Sequence, residues 1–224
     1  MYHLDDTPVT WLENKHVDAA IARTAVDRLL PDGITNEARA FHAQMPGYEM
    51  TPLKRLNHLA TRLGLGSIWV KDESARMRLN AFKALGGSFA IYRFICQKVG
   101  RPRLSFTDLM SDEIRAAVGD ITFTSATDGN HGKGLAWAAR KLGFPCVIYV
   151  HKLTSAARIA AIAEYGAEVR VVDGNYDDAV RQCERDARAN GWQVVSDTSW
   201  PGYEEIPMAV MQGYTTLLSE TQEQ

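Results

Sequence analysis

The chain has 224 residues, 46% of them apolar and 23% charged, with a formal net charge of −2. This is ordinary globular composition, with room for one large domain or two small ones. The charge balance leaves no footprint for nucleic acid or an anionic membrane surface, and no apolar run reaches the length that spans a bilayer.

The opening Met1-Tyr2-His3-Leu4-Asp5-Asp6 is polar and acidic, unlike a secretory signal. Helical spacing runs from Val17 to Leu30 and stops at Pro31-Asp32-Gly33. A second short helix is expected from about Glu37 to Gln44. Thr51-Pro52 then opens a helix whose apolar face would be Leu53, Leu56, Leu59, Ala60 and Leu63. Ser67-Ile68-Trp69-Val70 reads as a short buried strand, and Lys71-Asp72-Glu73-Ser74 as a solvated polar turn. A helix of some fifteen residues follows, ending near Gly100. Arg101–Asp120 is polar, with a helical piece near Asp112–Val118, and reads as a crossover between domains.

From there strands and helices alternate. Strands are expected at Ile121–Ser125, Val147–Val150, Glu168–Val172 and Gln193–Val195. Helices are expected at Asn130–Leu142, Ser155–Tyr165 and Asp177–Ala189, each followed by a glycine suited to a left-handed cap. Such alternation is the signature of an α/β fold with an open parallel sheet, flanking helices and right-handed crossovers. A last helix, about Ile206–Leu218, leaves this unit. The expected division is 1–112 as the N-terminal part of a large domain, 113–205 as a small α/β domain, and 206–224 as a helix returning to the large one. Cys96, Cys146 and Cys183 lack metal-ligand spacing and sit in helix- or strand-like segments. They read as buried free thiols of a reducing, cytoplasmic setting.

Two stretches carry chemistry. In Leu79–Ser88 (LNAFKALGGS), Lys83 lies among apolar and small residues where a loop becomes a helix. Desolvation there is expected to lower its pKa, and a neutral amine can attack a carbonyl. Gly86 and Gly87 remove side chains one turn on, so something can approach the backbone closely. In Ser125–Gly134 (SATDGNHGKG), a glycine-rich turn joins a strand to a helix, where open parallel sheets bind ligands. Its glycine spacing is not the dinucleotide fingerprint, and Asp128 would repel a phosphate. A carboxylate or an aromatic oxygen suits the turn better, and simple helix capping by Asp128 or Asn130 is the alternative. His131 reads as a loop or capping residue. Asp173, Asp177 and Asp178 read as a helix start, and Tyr165, Trp137 and Trp192 as core or edge residues.

Together with VKDESAR (Val70–Arg76), SDTSWPGYEEIP (Ser196–Pro207) and MQGY (Met211–Tyr214), these strings resemble the pyridoxal-phosphate enzymes of the tryptophan-synthase-β and threonine-dehydratase fold, fold type II. Within that fold they are similar to the diaminopropionate ammonia-lyase family. The resemblance covers about Tyr48–Tyr214. It implies that Lys83 is the lysine to which pyridoxal phosphate is attached, and that Asn130 hydrogen-bonds the cofactor's phenolic oxygen. It implies that Phe82 packs near the cofactor ring, that Asp128 takes the Cα proton of the D-isomer, and that Asp197 handles the L-isomer. The implied activity is elimination of ammonia from 2,3-diaminopropionate, in a homodimer.

The chain departs from the family at Arg78, where glycine is usual, and at Lys133, where arginine is usual. The family's chain is also nearly twice as long, and no glycine-rich loop that could cradle a phosphate follows Gly134. The expectation is therefore a fragment or truncated product with an incomplete large domain. Two other readings stand beside the lyase: a serine or threonine dehydratase of the same fold, which Asp128 argues against by repelling a substrate carboxylate, and a catalytically silent chain that only binds.

Overall fold

The computed structural model describes residues 18–224, so Met1–Asp6 and Val17, the expected first residue of the opening helix, lie outside the described residues. Helices α1 (Ala19–Leu29) and α2 (Ile34–Ala43) come first, the second entered through Gly33 at φ 81°. The four-stranded sheet has the order β5-β4-β3-β6, with β3 Phe123–Ala126, β4 Cys146–His151, β5 Glu168–Val172 and β6 Gln193–Val194. All its pairings are parallel; β3 meets β4 from Phe123↔Cys146 to Ala126↔Tyr149. Between the strands lie α7 (Asn130–Leu142), α8 (Ala156–Ala163) and α9 (Tyr176–Asn190), close to the expected ranges. The period of two along β4 divides the core. Ile148 and Val150 join a cluster with α4 (Lys83–Val99) and α7, whereas Val147 and Tyr149 pack with Ala179 and Cys183 of α9. The three cysteines are buried and free.

Helix α4 is the central element. Its residues from Ala84 to Tyr92 are buried all round, as befits a helix with neighbours on both sides. It packs against α7 on one side and α10 (Glu205–Glu223) on the other. The close approach explains two glycines. A Cβ at Gly134 of α7 would stand 2.8 Å from Ala84 N, and one at Gly213 of α10 would stand 2.5 Å from Leu85 O.

Two sequence expectations fail between residues 51 and 73. No helix starts at Pro52. Leu53–Arg55 forms strand β1, paired antiparallel with β2 (Trp69–Lys71), and only Asn57–Arg62 is helical, as α3. The apolar spacing that suggested a longer helix is not buried, since Leu59 and Leu63 are exposed, so tertiary pairing overrides it. The expected buried strand is likewise shifted and exposed: Trp69 is 52% accessible and lies beneath the Arg55 guanidinium at 5.3 Å.

The expected solvated turn is instead part of a buried ionic cluster. Lys71 Nζ lies 2.9 Å from Glu220 of α10. Arg76, fully buried, donates to both Glu220 oxygens at 2.8 and 2.6 Å and to Glu73. Tyr48 donates to Glu220 as well. Burial alone would raise the Glu220 carboxyl, but Arg76, Lys71 and Tyr48 hold it down at about 2.

This cluster anchors the segment that leads to Lys83. A kinked 3₁₀ segment, Glu73–Arg78, contains Met77 at φ 47° and Arg78 at φ 60°, and Asn80 follows at φ 58°. Left-handed backbone costs a side-chain-bearing residue energy, which accounts for the glycine usual at position 78 in the resembling family. Lys133, the second departure, donates to Leu79 O at 3.0 Å and so holds the same segment from α7. Short helices α5 (Phe106–Leu109) and α6 (Asp112–Val118) carry the chain to β3. Among the described residues, no helix is long and apolar enough to cross a membrane, and no group of His, Cys, Asp and Glu is placed to hold a metal ion.

Candidate active site

Lys83 is the first residue of α4, with Phe82 at the N-cap. Its Nζ donates to Asp197 Oδ2 at 2.8 Å. It lies 5.5 Å from the Phe82 ring centre and 5.3 Å from that of Tyr214, and the two rings meet edge to face at 5.0 Å. Asp197 comes from the segment after β6, at the carboxyl end of the sheet, and Tyr214 from α10.

The electrostatics correct the expected lowering of the lysine. Burial does pull the Lys83 ammonium down, but the Asp197 carboxylate and the Tyr214 hydroxyl together outweigh it and the net shift is upward. Asp197 is the counterpart. Burial raises its carboxyl, while the neighbouring His131 and the Lys83 ammonium bring it below the usual carboxylate range. In the protein as it stands, Lys83 is therefore a paired cation and must lose its proton before it can attack a carbonyl.

The turn after β3 holds a second group. Asp128 accepts from Arg158 Nη1 at 2.9 Å and lies 3.5 Å from His151 Nε2. Neither Asp128 nor Asn130 caps α7; the N-cap is Gly129, and Asn130 is the exposed first helical residue. Asp128, Gly129, Asn130, Lys133 and Arg158 line a hollow of about 270 Å³ at this helix start. Of the residues singled out from sequence, Lys83, Phe82 and Asp197 therefore form one constellation, and Asp128 and Asn130 another.

His131 was expected in a loop or as a cap. It is instead a buried residue of α7, with Nε2 2.8 Å from Val195 O and Nδ1 3.7 Å from Asp197 Oδ2. Its position directly after Asn130, on the first turn of the helix above the sheet, was the available signal. Tyr214 was legible only as part of the MQGY string. Nothing in the sequence marked His151 or Arg158 as partners of Asp128. The other aspartates behave as a helix start in part: Asp178 completes a capping box with Asn175, while Asp173 pairs with Lys152. Trp137 is in the core.

Residues 45–224 match the family model described as pyridoxal-phosphate dependent enzyme. The chain belongs to this family. Its relatives include diaminopropionate ammonia-lyase of Salmonella typhimurium, 50% identical over 198 residues, which are 88% of this chain and 49% of that protein. The enzyme of the same name from Escherichia coli K12 is 48% identical over 84% of this chain and 46% of its own length. The crystal structure of the Escherichia coli diaminopropionate ammonia-lyase in apo form superposes with a TM-score of 0.80 at 46% identity, covering 87% of this chain and 53% of that one. The chain thus has the expected fold type II architecture and spans about half the length of the curated relatives it matches.

The residues present fit the family's cofactor. Lys83 offers an amine at a helix start, and Phe82 and Tyr214 offer ring faces to a flat heterocycle. The Tyr214 hydroxyl and His131 Nδ1 are buried polar atoms without a hydrogen-bond partner, open to a further group. Pyridoxal phosphate is the cofactor of the family, and these residues could hold it.

Proposed function

We propose that this chain carries the lysine-bearing half of a pyridoxal-phosphate lyase that removes ammonia from 2,3-diaminopropionate to give pyruvate and a second ammonia. The observation that carries the reading is the Lys83–Asp197 pair at 2.8 Å, set against the Phe82 and Tyr214 rings. The likeness to two curated diaminopropionate ammonia-lyases supports it.

When bound, the cofactor supplies an electron sink for the carbanion at the substrate Cα. The protein's share is attachment, orientation and proton handling. Lys83 would hold the cofactor and, as a free amine, could take the Cα proton from one face. Asp128, aimed by Arg158 and His151, takes it from the other face in the D-isomer. Asp197 holds Lys83 and lies by the substrate in handling of the L-isomer. Asn130 would hold the cofactor's phenolic oxygen, and Phe82 would pack beside its ring. Loss of the β-amino group as ammonia leaves an enamine that water converts to pyruvate and the second ammonia. Asp128 disfavours a serine or threonine dehydratase, whose substrate carboxylate it would repel.

The division at about 112 and 205 belongs to the same proposal, supported by the confinement of the parallel sheet to residues 123–194. So do a homodimeric assembly and a cytoplasmic setting.

The test is the absorption spectrum of the purified chain with pyridoxal phosphate, followed by borohydride reduction and peptide mapping. Stoichiometric attachment on Lys83, absent in Lys83→Ala, supports the reading. Release of pyruvate from D- or L-diaminopropionate completes it. No attachment in the parent chain would leave it a silent binding chain and sink the proposal.

A further inference from the structure

His131 is the one buried titratable group at the site to which the proposed chemistry gives no task. Val195 O can only accept a hydrogen bond, so the Nε2 atom 2.8 Å away carries the ring proton. In the neutral ring Nδ1 is then a bare lone pair. It has no hydrogen-bond partner and points at Asp197 Oδ2 across 3.7 Å. A lone pair facing a carboxylate is repulsive. It is tolerated here because Lys83 Nζ sits 2.8 Å from that same oxygen and supplies the counter-charge. The ring is 3% exposed.

Lys83, however, must surrender its proton to act as a nucleophile. Asp197 then keeps its charge and loses its cation. We propose that His131 is a positioning residue acting through Asp197, taking the Lys83 proton on Nδ1 as the lysine becomes a free amine. The N–H bond of Lys83 breaks, the carboxylate passes the proton, and an N–H bond forms on Nδ1. Before the step the trio is ammonium, carboxylate and neutral imidazole; after it, amine, carboxylate and imidazolium. The net charge is unchanged, but the positive charge moves from an ammonium whose side chain is 30% exposed to a ring only 3% exposed. The transfer is therefore uphill, and His131 holds the proton in passing, until the lysine has reacted. The resulting Nδ1–H faces Asp197 as a charge-assisted donor, so Asp197 stays in place while Lys83 leaves it.

The other groups around the ring do not offer this. Tyr214 of α10 has a hydroxyl held well above neutrality by burial. Tyr176 of α9 donates to Ala126 O, and Tyr203 donates to Val194 O. Lys133, on the same helix as His131, is spent on Leu79 O. Asp128 is taken up by Arg158 and His151. With Lys83 charged, burial chiefly and the lysine cation in smaller part hold the imidazole down against the upward pull of Asp197 and Val195 O, and the lysine part vanishes as the proton leaves.

The proposal rests on Lys83 as the attachment lysine, but its first test needs no cofactor. Long-range ¹H–¹⁵N spectra of the histidine rings would be recorded on the whole 224-residue chain across pH, with His131→Gln assigning the ring. The expected parent spectrum is the neutral Nε2–H form at pH 7. In Lys83→Met the protonation midpoint should rise. In Lys83→Met with Asp197→Asn the rise should vanish. An unchanged midpoint in Lys83→Met, or a rise that survives Asp197→Asn, overturns the idea.

A second measurement guards against a variant that misfolds. The rate of borohydride-trapped attachment to Lys83 would be followed against pH in the parent and in His131→Gln, which can still donate to Val195 O. Expected is a roughly tenfold slower attachment at pH 7 that recovers as pH rises. Superimposable profiles overturn the proposal. Failure of the parent chain to attach cofactor at all counts instead against the proposed function.

Discussion

Two carboxylates in this chain sit among cations, and they differ in what is left over. Glu220 receives Arg76, Lys71 and Tyr48, and both its oxygens are satisfied. Asp197 receives Lys83 on one oxygen, while His131 Nδ1 faces that oxygen without bonding it and the Tyr214 hydroxyl nearby stays open. A buried polar network with every member matched rigidifies a structure; one with open members is poised to accept something else. The first cluster fixes the strained segment that delivers Lys83, and the second holds the ammonium of that lysine.

The comparison breaks most directly at Glu220. Glu220→Ala leaves Arg76 with Glu73 as its remaining carboxylate and takes the carboxylate from Lys71, and about 2–4 kcal/mol of stability should be lost in denaturant unfolding. A loss under 1 kcal/mol would mean the cluster is not a lock. The same carboxylate sets an acid limit. Its carboxyl lies at about 2 in the folded chain against 4.5 as the ordinary value. A depressed value adds stability above pH 4.5, and that stability drains away as pH falls from there toward 2. Other depressed carboxylates such as Asp197 and Asp186 also contribute, so unfolding midpoints across this window should fall in both proteins, but less steeply in Glu220→Gln.

Next in size is Gly134→Ala. Its Cβ would meet the α4 backbone at 2.8–2.9 Å, so α4 and α7 must part, at about 1–3 kcal/mol by thermal unfolding. Asp197→Asn should cost less than about 1 kcal/mol, because Lys83 and Asp197 keep 30% and 25% side-chain exposure. Yet it should remove most of the borohydride-trapped cofactor at neutral pH. A large stability loss there would make Asp197 a second lock. The smallest effect is opposite in sign: Arg78→Gly relieves a residue at φ 60° and should stabilise by up to about 1 kcal/mol. A neutral or lower melting temperature would show the strain is absent.

The βαβ part was legible because each of its signals is local. The glycines at 143 and 191 take the left-handed cap, and β4 is a nearly continuous apolar run beside a fully buried β3. The stretch from 51 to 73 was not, because Lys71 and Arg76 are explained by Glu220, some 150 residues away, and no local pattern encodes such a partner. The site divides the same way. Lys83 and the turn at Asp128 stood out by composition. The sign of the shift on Lys83 depends on Asp197, 114 residues on, and could not be read from apolar neighbours.

Helix α10 carries Tyr214 beside the lysine and Glu220 in the lock, fewer than two turns apart. What happens at one end is thermodynamically linked to the other, and the link runs both ways. Anything that settles against the Tyr214 ring should slow amide hydrogen exchange in the last turns of α10. Loosening Glu220 should weaken whatever binds at Lys83. The helix thus serves as a readout: protection factors along Ser219–Glu223 would report occupancy of a pocket they do not touch.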